Sequence, residues 1–352
     1  MAAIAAALLT AACGGGGGGG IAPATSITGN SPSAGSGGTS GSGGGTGGGT
    51  STANCGAALL CGPYIGPTFD GTGGSYPSNV SFALLSSSLQ YTSAGPSAVM
   101  NNQSGTATVI SEAMDSSTVH LVVPSVNLDQ TLTLSTSLAP LAPQPALPTP
   151  GGWDQSSIAS RPNQDYISVL GFSYVSLGVW LHSGSKDSTP QITFTAYAFG
   201  YETPAAAMPT TGSATYGGSV LGGLSLSPPA GLDASSCVDC NSWLTGVARF
   251  SVDFASSKIS GAFTNMMNHG ASGVLPWNDV SVNASILAGT NKLSGSTAIS
   301  APLSPAVGGT GRIDGAFYGP NANNLGAIWS LRGANWTALG GVAASAISPW
   351  DY

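Results

Sequence analysis

Gly308 to Trp336 reads GGTGRIDGAFYGPNANNLGAIWSLRGANW, and the rest of the chain can be read outward from it. Its first arm alternates, with Ile313, Gly315 and Phe317 on one face and Arg312, Asp314, Ala316 and Tyr318 on the other. That is the period-2 pattern of a half-buried strand. The second arm repeats it with Leu325, Ala327, Trp329 and Leu331. GPNANN between them gathers residues that favour bends, so the stretch predicts a β-hairpin near the end of a barrel, with Phe317 and Trp329 in the core and Gly319 and Pro320 in the turn.

Two further hairpins precede it. SVDFASSKISGAF sets Phe250, Val252 and Phe254 opposite Ile259, Gly261 and Phe263, and VSVNASILAGTNKLSGSTAIS sets Val280, Val282, Ala284 and Ile286 opposite Leu293, Gly295 and Thr297. KISGAF and RIDGAF repeat a slot in which a glycine sits where a strand bends beside a core aromatic. The predicted strands are Thr211–Val220, Trp243–Phe254, Ile259–Asn265, Asp279–Leu287, Lys292–Ser300, Gly311–Tyr318, Leu325–Leu331 and Trp336–Ala343. Eight antiparallel strands close into an up-and-down barrel with a side-chain-filled interior.

Upstream, shorter β-branched and aromatic runs lie between Gly, Pro, Asn and Ser: Val80–Leu85, Thr106–Ser111, Thr118–Val123, Gln130–Leu134, Tyr166–Trp180 and Gln191–Phe199. No window keeps apolar residues at helical spacing with caps around it. Ala139 to Pro150, with five prolines, reads as a polyproline-like surface loop. The fold class is therefore mainly β, with a β-rich domain over residues 55–205 and a barrel domain over 206–352.

Composition agrees and narrows the function. In 352 residues, hydrophobic content is 41%, charged residues are only 6% and there are 53 glycines, so Ser, Thr and Asn must supply the polar surface. A net charge of −7 with seven Lys and Arg leaves no basic stripe for a nucleic-acid backbone or for an anionic membrane surface. The five cysteines divide into Cys13 and two close pairs, Cys55 with Cys61 and Cys237 with Cys240. One modified and four disulfide-bonded cysteines suit an oxidising compartment, although four permit three connectivities.

Met1 to Ala12, MAAIAAALLTAA, is a short apolar run followed by Cys13 and the glycines Gly14 to Gly20. It resembles the end of a bacterial lipoprotein signal peptide, which implies that Cys13 becomes the acylated N-terminus. The segment lacks Lys or Arg, and Thr10 stands where Leu is usual; an Ala-rich tail with a chance cysteine is the alternative. Residues 14–54 are Gly, Ser and Thr with almost no large apolar side chain, so they form a tether with a mean end-to-end distance of about 35 Å.

His120, His182 and His269 have no carboxylate or nucleophile at motif spacing, so a hydrolytic triad has no support and the chain reads as a non-enzyme. Cys237-Val-Asp-Cys240 sits in a Ser/Gly/Pro context that favours a structural disulfide over a redox pair, and only Asp233 and Asp239 stand near it as further zinc ligands. Met266, Met267 and His269 cluster soft and imidazole ligands of the kind that hold haem iron or copper, in what reads as a loop at a strand end. No resident cofactor or metal is expected, and haem is a candidate ligand. The long loops Gly222–Asn241 and Asn265–Asn278, with loops of the upstream domain, form the expected binding cap.

GRIDGAFYGPNANNLGAIWSLRG is similar to the GxFYGPxAxxLGGxFxL signature that closes the β-barrel of transferrin-binding protein B and related surface lipoproteins. TGSATYGGSVLG resembles the strand that opens that barrel, while YISVLGFSYVSLGVW and FGYETPAAAMPTTG resemble the end of the handle domain before it. The resemblance implies an antiparallel β handle followed by the barrel, and a lipid-anchored outer-membrane surface protein. Its implied ligand is an iron-bearing protein or haem, with a TonB-dependent transporter and a lipoprotein-export barrel as partners. Two other functions are carried alongside it: a surface interaction or immune-evasion lipoprotein without a transport role, and an integral eight-stranded outer-membrane barrel, to which the terminal Trp350-Asp351-Tyr352 lends itself.

Overall fold

The structure, a computed structural model, describes residues 75, 77–92, 95–97, 99–112, 116–126, 128–135, 164–186, 189–228, 240–270, 273–301 and 308–347. All fall in one compact unit, Asn54–Tyr352. Cys13, Cys55, Cys61, Cys237, the tether, the proline-rich run and the terminal Trp350-Asp351-Tyr352 lie outside the described residues. Among the described residues there is no α-helix.

Strands β1 (Val80–Thr92), β2 (Gly95–Pro96), β3 (Met100–Glu112), β4 (Ser116–Val123), β5 (Leu128–Ser135), β6 (Gln164–Gly171), β7 (Val175–Lys186) and β8 (Thr189–Gly200) form the handle. They make one antiparallel sheet in the order β5-β4-β3-β1-β8-β7-β6, with β2 paired to β1. The run predicted as one strand, Tyr166–Trp180, is two. The chain reverses at residues 172–174, where the Phe172 N–H donates to the Val175 carbonyl at 2.8 Å. Apolar residues continue through this reversal, so periodicity alone gave no mark of it. β7 and β8 are apolar on both faces: Trp180, Tyr197 and Phe199 pack with Phe82 and Leu121 on one side, and Val179, Leu181 and Phe194 face the barrel on the other.

The barrel consists of β9 (Ser213–Leu226), β10 (Asn241–Asp253), β11 (Lys258–Gly270), β13 (Asp279–Ile286), β14 (Lys292–Ala301), β15 (Thr310–Tyr318), β16 (Asn324–Arg332) and β17 (Trp336–Ile347). Each pairs antiparallel with the next, and β17 returns to β9 in register from Trp336↔Leu226 to Ile347↔Thr215, which closes the ring. A short extra strand, β12 (Gly273–Pro276), folds back on the end of β11.

Alternation places Ile313, Phe317, Leu325, Ala327, Trp329 and Leu331 inside, none more than 1% exposed. Burying a side chain of this size contributes about 1.5–3 kcal/mol. At Gly261 the glycine has a concrete reason, since a Cβ there would lie 2.4 Å from the Phe250 ring, which crosses it to meet Phe263 edge-on at 6.1 Å, whereas a Cβ on Gly315 would meet the Gly326 carbonyl at 2.4 Å.

Outside, the barrel has two contrasting sides. Leu221, Trp243, Ala316, Tyr318, Ile328 and Leu339 are buried against the handle. Phe194 meets Trp243 across this seam at 5.2 Å. The free side, by contrast, presents Lys258, Ser260, Asn283, Ser285, Ser294 and Ser296, a hydroxyl-rich groove with no apolar band. A barrel in lipid needs its apolar residues outward. On this free side the large apolar residues point inward and the outer face is polar.

Candidate functional site at the two ends of the barrel

The hairpin of the opening stretch does more than turn. Gly319 has φ 77°, and Pro320–Ala322 form a single 3-10 turn in which Asn321 and Ala322 also have positive φ. This turn grips the segment that leaves the handle. The Gly319 N–H donates to the Tyr201 carbonyl (2.7 Å), the Thr203 N–H to the Phe317 carbonyl (2.9 Å), and Thr203 Oγ1 to the Gly319 carbonyl (2.6 Å). Asn324 Oδ1 accepts from the Tyr174 N–H at 3.0 Å while its Nδ2 donates to Ser345 Oγ at 2.7 Å. Glu202 pairs with Lys292 and accepts from Asn291 Nδ2 at 3.1 Å. Tyr318 packs beside this carboxylate. Burial first, and the Glu202 charge second, push the Tyr318 phenol pKa well above the usual tyrosine range.

The opposite end, where β9 ends and β10 begins, is where the sequence placed the loops Gly222–Asn241 and Asn265–Asn278. Gly222–Leu226 is strand, residues 229–239 lie outside the described residues, and Asn265–Gly270 is the end of β11 rather than a loop. A β-bulge explains the misreading: Asn265 has φ 52° and the pairing slips between Thr245 and Val247. The extra residue breaks the alternation that would have identified the strand.

The bulge also fixes the predicted ligand residues. Met266 is 1% exposed in the barrel core. Met267 and His269 lie on the outer face, where His269 Nε2 and Thr245 Oγ1 are 2.8 Å apart. The structure therefore brings Met267 and His269 to one face and sends Met266 to the other. Burial holds the His269 pKa below the usual imidazole value. Of the other histidines, His120 pairs with Asp129 at 2.7 Å and His182 stacks on Trp180 at 5.1 Å, as satisfied strand histidines do. Among the described residues no three His, Cys, Asp or Glu side chains are placed to hold a metal ion. Cys240, at the foot of β10, is 1% exposed and disulfide-bonded.

Sequence reasoning did not anticipate a set of buried polar atoms at this mouth. Asn241 Nδ2, Ser242 Oγ, Asn268 Oδ1 and Trp277 Nε1 have no hydrogen-bond partner among the described residues. Register places them in neighbouring rows: Asn268 lies opposite Leu244, two residues from Ser242, and the Trp277 backbone N–H donates to the Met266 carbonyl at 2.7 Å. Beside them β12 leaves Val274 and Leu275 48% and 58% exposed. These are neutral donors and acceptors beside apolar contact surface.

Residues 208–346 match the family described as the C-lobe and N-lobe β-barrels of transferrin-binding protein B. Transferrin-binding protein B of Haemophilus influenzae is 27% identical over 187 residues, which is 50% of this chain and 28% of that protein. The chain thus spans little more than a quarter of that relative. Among solved structures, a point mutant of transferrin-binding protein B from Haemophilus parasuis matches at TM-score 0.36 and 15% identity, over 69% of this chain and 53% of the other. A protein described as a surface lipoprotein matches at TM-score 0.36 and 17% identity, over 75% and 99%. The described residues thus form a closed eight-stranded barrel held to a β handle, and residues 208–346 of that barrel are similar to the barrels of transferrin-binding protein B.

Proposed function

We propose that this is a lipid-anchored protein of the outer-membrane surface that binds an iron-carrying protein for nutrient acquisition. The observation that carries the reading is the match of residues 208–346 to the barrels of transferrin-binding protein B. In it, Cys13 is acylated, residues 14–54 are the tether, and residues 55–205 and 206–352 are handle and barrel. Disulfides join Cys55 to Cys61 and Cys237 to Cys240, and the cap at the mouth end holds the ligand for a TonB-dependent transporter. A lipoprotein-export barrel delivers the protein to the surface. Binding without catalysis suits the neutral donors, acceptors and exposed apolar side chains at that end. Haem is the other iron source within this reading, with His269 and Met267 on one outer face.

The test is to immobilise the full chain and pass iron-loaded transferrin, iron-free transferrin and haem over it. Saturable retention of an iron-loaded protein supports the reading, and a Soret shift on haem addition assigns the iron source to haem. Retention of neither, on a chain that gives a cooperative melt, moves the protein to a surface interaction role without iron.

A further inference from the structure

Pairing at the mouth end gathers six side chains on one outer face of the barrel. Trp243 lies opposite His269 and His269 opposite Val274, while Thr245 lies opposite Met267 and Met267 opposite Pro276. Directly paired residues of antiparallel strands point to the same side, and residues two apart on one strand share a face. Met267 and His269 therefore stand side by side, with their Cα atoms about 7 Å apart. Met266, turned into the core, is excluded from the set. Both Met267 and His269 are partly exposed, so an ion can reach them from solvent.

The ring of His269 is already held. Its Nε2 is 2.8 Å from Thr245 Oγ1, and no other hydrogen bond engages the ring among the described residues. With Nε2–H donating to that hydroxyl, Nδ1 keeps its lone pair for a ligand. Metal-binding histidines divide their two nitrogens in this way.

The donor pair selects the ion. It consists of one thioether and one imidazole, and none of the six side chains is a carboxylate or a thiolate. Ions that need three or four His, Cys, Asp or Glu ligands, or a shell of oxygens, find no such cluster among the described residues. Thioether sulfur favours Cu(I), a soft closed-shell ion satisfied by few ligands.

We propose that Met267 Sδ and His269 Nδ1 bind one soft monovalent metal ion, Cu(I), on the outer face of the barrel mouth. Thr245 holds the imidazole, and Trp243, Val274 and Pro276 flank the pair with apolar surface. The site is separate from the capture of an iron-carrying protein and does not depend on it.

The probe is Ag(I), which shares the ligand preference of Cu(I) without its redox chemistry. The full chain, with any free thiol blocked by N-ethylmaleimide, is labelled at the methionine methyl carbons and titrated with silver nitrate in chloride-free buffer. Of the six methionine signals, that of Met267, identified by its loss in Met267→Leu, is expected to move saturably and to stop at one ion per chain. Cu(I), added without oxygen as its acetonitrile complex, should move the same signal, and Zn(II) should not. Neither ion has a Soret band, so the result is independent of the haem test. Equilibrium dialysis should show Met267→Leu and His269→Gln each weakening Ag(I) binding about ten-fold or more. Met266→Leu, adjacent in sequence but facing the core, should stay within about two-fold of the parent. A Met267 signal that does not move, an equal response to Zn(II), or Ag(I) binding unchanged in His269→Gln would overturn the proposal. So would a loss in Met266→Leu as large as that in Met267→Leu.

Discussion

The two ends of the handle–barrel seam use similar residues to opposite effect. At the clamp end, Thr203 and Asn324 are 1% and 2% exposed, and the side chains and backbone groups named there are joined in a continuous set of hydrogen bonds. At the mouth end, Asn241 and Ser242 are nearly as buried, yet each keeps a polar atom without a partner among the described residues. A satisfied buried network rigidifies, and an incomplete one costs free energy unless something else completes it. The difference predicts that substitutions at the two ends carry very different stability costs.

The largest effect is expected at Gly319. Its φ of 77° lies in the left-handed region, and an added Cβ would sit 2.3 Å from the Tyr174 ring. Gly319→Val combines backbone strain of about 1–2 kcal/mol with overpacking of about 1–3 kcal/mol. Urea unfolding should show a loss of about 2–5 kcal/mol, and a loss below about 1 kcal/mol would show that the turn does not clamp the handle. Next is Asn324→Leu, which leaves the buried Tyr174 N–H without its acceptor and Ser345 without its donor. A loss of about 1–3 kcal/mol is expected by the same measurement.

Much of this clamp is invisible in the sequence, although its location is not. Alternation in RIDGAFY and NLGAIWSL identified Phe317 and Trp329 as core, and both are. GPNANN was legible as a turn because its residues favour bends. That the turn holds Tyr201 and Thr203 depends on contacts more than a hundred residues apart, between Thr203 and Gly319 for example, which no local pattern encodes. The mouth failed to be read for a different reason. The bulge at Asn265 shifts the phase of β11, so the alternation before it does not carry on into Met266–Gly270, where Met266 and His269 then face opposite ways by ordinary alternation. The unpartnered atoms had no signal at all, since a serine or asparagine in a strand looks alike whether or not it is satisfied.

A smaller effect belongs to pH at the mouth. His269 titrates below the usual imidazole value because burial disfavours its charged form. The unfolded chain therefore binds the proton more readily than the folded one. Stability from this group is fully present above the unfolded value of about 6.5 and is lost as pH falls from there through the folded value. Melts at pH 8 and pH 5.5 should show the parent chain losing more than His269→Gln, with carboxylate contributions common to both. An equal loss in the two chains would place His269 in water and remove it from the half-buried row beside Trp243 and Thr245.

The smallest expected effect is also the sharpest test of the comparison. Asn268 sits at the mouth with Oδ1 unpartnered, as Asn324 sits at the clamp with Oδ1 bonded. Asn268→Leu keeps the volume and removes a buried acceptor that nothing in the protein satisfies, so its stability should stay within about 0.5 kcal/mol of the parent or rise. The same chemical change, Asn to Leu, then costs free energy at one end and nothing at the other. If Asn268→Leu instead costs as much as Asn324→Leu, an ordered water already completes the mouth in the free protein. The mouth would then be a second, hydrated clamp.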